Sequence, residues 1–145
     1  MNNLTKIHLF SFIFTICLFK ICILEMTDMK EYSDKILSIY KDPSSSTLSK
    51  LLMYAFFYLD EMFKLEEGIE EGKEECKNFL RQFHAEGGPK HIDNIPFGRL
   101  MEVMKLKSSD IAEIENVIDK TKKSWSDLQE ALSELKPENG NPNNL

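Results

Sequence analysis

The side chains that could do chemistry in this chain are few and loosely grouped. Beyond the first 24 residues, those worth weighing are Cys76, His84, His91 and Asp93. His91-Ile92-Asp93 stands in a Gly/Pro-bounded loop near His84, the one arrangement with metal-ligand character. It lacks His-Glu-x-x-His and paired Cys-x-x-Cys, the spacings that converge on zinc. Loop histidines are ordinarily solvated, so we expect no metal and no cofactor. Cys76 and His84 could meet across a turn as nucleophile and base, but no third group is evident to orient the base. Gly-x-Ser-x-Gly and a phosphate-cradling glycine loop are both missing from the sequence. A non-catalytic role is expected.

Two other groups could make a binding surface. Glu66-Glu67, Glu70-Glu71 and Glu74-Glu75 recur every fourth residue. Calcium needs six to eight oxygens converging from a turning loop, whereas carboxylates in columns on a helix diverge. The glutamates therefore read as a solvated face, or as a patch for a basic protein partner whose affinity falls as salt rises. Phe56, Met62, Phe63, Phe83, Met104 and Trp125 could line a soft pocket for a hydrophobic ligand, because methionine adapts to irregular shapes. Aromatic and Met stripes at helical spacing are more ordinarily plain core.

Cys76 is the only cysteine after residue 24. No internal disulfide is available to such a body, so apolar packing must stabilise it. Cys76 is either buried or forms an intermolecular disulfide in a homodimer. Gly68-x-x-x-Gly72-x-x-x-Cys76 would form a column of small residues on a helix, permitting close backbone approach or marking a hinge.

Helices must carry these residues. Residues 28–41 place Met29, Tyr32, Ile36, Ile39 and Tyr40 at helical spacing, until Asp42-Pro43 stops the run. Residues 48–86 hold a nearly continuous heptad seam: Leu48, Leu52, Ala55, Leu59, Met62, Ile69, Cys76, Leu80 and Phe83, interrupted by Glu66 and Lys73. Tyr54, Phe56, Phe57 and Phe63 add apolar surface off the seam, which suggests a helix central to its bundle. Stacked glutamates and Gly68 and Gly72 predict a bend, fray or break near 68–72. Gly87-Gly88-Pro89 ends the stretch. A short helix then runs to about Lys107, with Phe97, Leu100, Val103 and Met104 inward. The last begins at an Asp110/Glu113 cap and carries Ile111, Ile114, Ile118, Thr121, Trp125, Leu128, Leu132 and Leu135 inward. The expected fold class is all-α, a mostly antiparallel four-helix bundle.

The first two dozen residues supply an address. Lys6 precedes an almost wholly apolar run, residues 7–24, broken only by polar residues such as Lys20. A basic start and apolar core fit a secretory signal, although the small residues before a cut are poorly supplied. The alternative is a retained membrane anchor, for which the run is marginally long. We expect residues 1–24 to be signal peptide or signal anchor, 25–137 a single helical domain and 138–145 a disordered, Asn-rich tail. The whole chain carries −6, and without Lys6 and Lys20 the body is two units more acidic. That balance argues against nucleic acid and against anionic membrane surfaces. The expectation for function is a secreted protein that binds another protein through an exposed helix face. An extracellular carrier of a hydrophobic small molecule and a membrane-anchored module are the alternatives.

Overall fold

The computed structural model describes residues 28–135. The expected signal or anchor and the whole of the expected tail lie outside the described residues. Five α-helices account for most of the described chain, which contains no strand. They are α1 (28–41), α2 (Leu48–Glu70), α3 (Glu74–Ala85), α4 (Phe97–Met104) and α5 (Ser108–Glu134). Short 3-10 turns, Pro43–Ser45 and Lys90–Ile92, lie in the connections. Among the described residues no helix is long and apolar enough to cross a membrane.

Five helices stand where four were expected because the 48–86 stretch breaks completely. Gly72 has φ +76°, open to glycine at little steric cost. Its N–H donates to the Ile69 carbonyl, and the Lys73 N–H reaches back to Gly68. This Schellman arrangement satisfies carbonyls left over at the end of α2. The same pattern closes α3, where Gly87 donates to His84 and Gly88 to Phe83. It recurs after α4, where Lys105 is left-handed at φ 58° and Leu106 donates to Met101.

Two apolar clusters hold the helices together, and their membership gives the directions. The first joins Ile36, Ile39 and Tyr40 to Leu51, Ala55 and Leu59, and to Ile114, Val117 and Ile118. The second joins Met29 to Tyr58, Met62 and Leu65, and to Cys76, Leu80 and Leu128. Passing from the first cluster to the second, α2 and α5 both rise in residue number and α1 falls. Thus α1 is antiparallel to α2, α3 folds back on α2 through its tight corner, and α5 runs parallel to α2. The long return through α3 and α4 permits that parallel pair, whose contact is more extensive than that of α2 with α3 or of α3 with α5. The expected antiparallel order holds at the short connections only.

Along α5 every expected seam residue is buried or half-buried, with Val117 and Ser124 buried beside them. Two details differ. The helix begins at Ser108, so Asp110 sits in its first turn and accepts a hydrogen bond from the Lys107 N–H at 2.7 Å. On α4, Leu100 is fully buried but Val103 faces outward, because only one stripe of so short a helix meets the Pro43–Ser45 turn and the first cluster.

Candidate functional site

The outward face of α2 is the most unusual surface among the described residues. The helix was expected to be covered on most sides. Instead Met53, Phe56, Phe57 and Phe63 are 39%, 45%, 46% and 49% exposed. At 3.6 residues per turn these four fall within an arc of about 120° and a length of about 15 Å. The reason is geometric: α1, α3 and α5 cover the side bearing Leu51, Ala55, Tyr58, Met62 and Leu65, and nothing described crosses the opposite side. Tyr32 of α1 borders the face, its ring 5.5 Å from Phe57 and 6.4 Å from Tyr54. Asp60 sits within the stripe, and Lys64 bridges it at 3.0 Å and Glu61 at 2.8 Å, so the polar groups there largely neutralise one another.

The glutamates do not form one ladder, because the Gly72 corner divides them. Glu67, Glu70 and Glu71 remain exposed at the end of α2, continuing beyond the apolar stripe. Glu71 pairs with Lys73 at 2.6 Å. Glu66 turns inward instead, where it accepts the Ser124 hydroxyl of α5. Desolvation raises its carboxyl above the usual range, partly offset by that hydrogen bond. Glu74 and Glu75 occupy the first turn of α3, where negative charge complements the helix dipole. Glu74 also bridges Lys77 at 3.2 Å. These two have a structural explanation, and Glu71 has its Lys73 partner; Glu67 and Glu70 stay exposed at the end of α2.

The six expected pocket residues separate. Met62 is fully buried in the second cluster. Phe83 and Trp125 pack edge-to-face at 5.1 Å beside that cluster. Met104 is half-buried against the first cluster. Phe56 and Phe63 point to solvent. No single cavity is lined by all six.

Cys76 takes its buried role, at 3% exposure. Its Cβ lies 3.3 Å from where a Cβ on Gly68 would stand, so the small-residue column serves the α2–α3 corner. Burial is the first of the two readings its sequence allowed; a Cys76-linked homodimer would require that corner to open. Among the described residues no three His, Cys, Asp or Glu side chains converge as a metal site requires.

His91 departs from its expectation. It is fully buried rather than solvated, carried inward by the Lys90–Ile92 turn. Its ring meets Tyr58 edge-on at 4.3 Å, and its Nδ1 lies 3.2 Å from the Ser33 hydroxyl. A serine beside an imidazole suggests a nucleophile and base. Yet burial pushes His91 down to about 4, and its Nε2 has no hydrogen-bond partner among the described residues. An imidazolium formed there would have no counter-charge among the described residues, and the contact ties α1 to the Lys90–Ile92 turn. Tyr58 and Ser33 escaped the sequence reading altogether. Tyr58 had a usable signal: it lies between Ala55 and Met62 at steps of three and four, one flank of the seam.

No protein-family model matches the chain, and neither curated proteins nor solved structures yield a match.

Proposed function

We propose that this is a secreted, non-catalytic protein that binds another protein through the outward face of α2. The observation that carries the reading is the exposed stripe of Met53, Phe56, Phe57 and Phe63. Three phenyl rings in water on one helix face are costly unless something covers them, and contiguous exposed apolar patches characteristically mark interaction sites. Aromatic residues and Met are also the side chains enriched where interfaces carry their energy.

The partner best suited to this face is an amphipathic helix with an apolar ridge and basic residues at one end. The ridge would lie along the phenyl stripe, and the basic end would meet Glu67, Glu70 and Glu71. With α1, α3 and α5 packed on its inner side, α2 keeps this outer face open. Export through residues 1–24 would deliver it to extracellular fluid.

A photo-crosslinking phenylalanine analogue at Asp60 tests the proposal in that fluid. One dominant adduct is expected, lost in the Phe56→Asp/Phe63→Asp double variant and weakened by Glu67→Lys/Glu70→Lys or by raised salt. Crosslinking unchanged in the double variant would reject the α2 face.

A further inference from the structure

A second surface feature lies between α1 and α3, away from the phenyl stripe. It is a cleft of about 520 Å³. Met29 and Leu37 of α1 form one wall, and Phe79 and Phe83 of α3 form the other, with Tyr58 of α2 between them. The two phenylalanine rings stack on each other at 5.5 Å and 9° interplanar angle, which makes that wall apolar and braces it. The volume falls within the range of small-molecule sites, which combine apolar lining with a few fixed polar groups.

Those polar groups indicate the ligand. Tyr58 is 1% exposed, and its hydroxyl has no hydrogen-bond partner among the described residues. A buried hydroxyl without a partner is costly, so one is normally supplied. Burial also raises the Tyr58 phenol, which keeps its O–H as a donor. The neighbouring polar group, Ser33, is already engaged with His91. At the mouth, Lys30 and Lys90 are matched by Asp34 and Glu86, so the rim favours neither sign of charge.

We infer that the cleft between α1 and α3 binds an uncharged, predominantly apolar small molecule that presents one hydrogen-bond acceptor to Tyr58. The stacked Phe79 and Phe83 rings take its apolar body. The balanced rim gives an anion no net attraction, and entry into the apolar cleft would cost an anion its hydration. This assigns a site independent of the α2 face.

The test uses the full chain and the neutral dye Nile red, followed by emission and by stoichiometry. One dye per chain is expected, displaced by methyl oleate at concentrations at least about tenfold below those needed for oleate. Tyr58→Phe keeps the ring and removes the unpartnered hydroxyl, so it should fold at least as well while weakening methyl oleate binding about fivefold. Gln82→Phe, at an exposed position on the rim, should block the cleft without disturbing the core. Phe63→Asp should leave dye binding unchanged, which separates this site from the α2 face. Dye binding that survives Gln82→Phe, unchanged ester affinity in Tyr58→Phe, equal displacement by oleate, or no one-to-one binding would each overturn the inference.

Discussion

His91 is where residue chemistry has its largest consequence for stability. It is buried without a counter-charge, and its folded-state value falls from 6.5 to about 4. The unfolded chain therefore binds the proton more readily. His91's contribution is fully present above pH 6.5 and drains away as pH falls toward 4, amounting to about 3 kcal/mol. Glu66 acts oppositely: its raised carboxyl removes stability as pH rises from its ordinary range. Denaturant unfolding between pH 7 and 4 should show the His91 slope, and His91→Leu should flatten it. A slope unchanged in that variant would assign the acid sensitivity elsewhere. The sequence marked this histidine as a candidate but not as a buried one. Residues 89–95 read as a loop, and only the packing of Tyr58 against the Lys90–Ile92 turn makes the ring part of the core.

Elements were more legible, because helix starts and stops rest on local chemistry. The periodicity of residues 28–41, 48–86 and 111–135 depends on side chains one turn apart, and helices occupy all three, the second of them broken at Gly72. The weak point near Gly72 was foreseeable from glycine and charge repulsion. Its conversion into a full reversal was not, because that depends on Cys76 seating against Gly68. Lys105 offers a test at this scale. Gly72 and Gly87 hold the left-handed position at the ends of α2 and α3, while Lys105 holds the corresponding one after α4 with a side chain that opposes it. Lys105→Gly should therefore stabilise the protein by about 1 kcal/mol, read as a raised melting temperature. A loss of stability would mean that the lysine side chain contributes more than its backbone strain removes.

At the scale of the whole molecule, Trp125 connects what would otherwise be two cores. Its ring packs against both apolar clusters. It also lies where a Cβ on Gly88 would stand, which fits the close approach of that turn to α5. Trp125→Ala should cost about 3 kcal/mol. Loss of the link should also broaden or split the denaturation curve, checked with fluorescence-independent circular dichroism. A single sharp transition with little loss would mean the two clusters couple through α2 alone. Helix directions could not be read from periodicity, since a seam looks the same from either end. The exposed phenyl face was hidden for a related reason: apolar surplus on a helix signals equally a buried centre and an uncovered side. The side-by-side course of α2 and α5 has a consequence for biosynthesis. Glu66 meets Ser124 from 58 positions away, so the part of α2 that faces α5 stays uncovered until α5 has left the ribosome. Until then only α1 and α3 cover the inner side of α2, and the strip that meets α5 stays open to solvent, a state suited to chaperone capture.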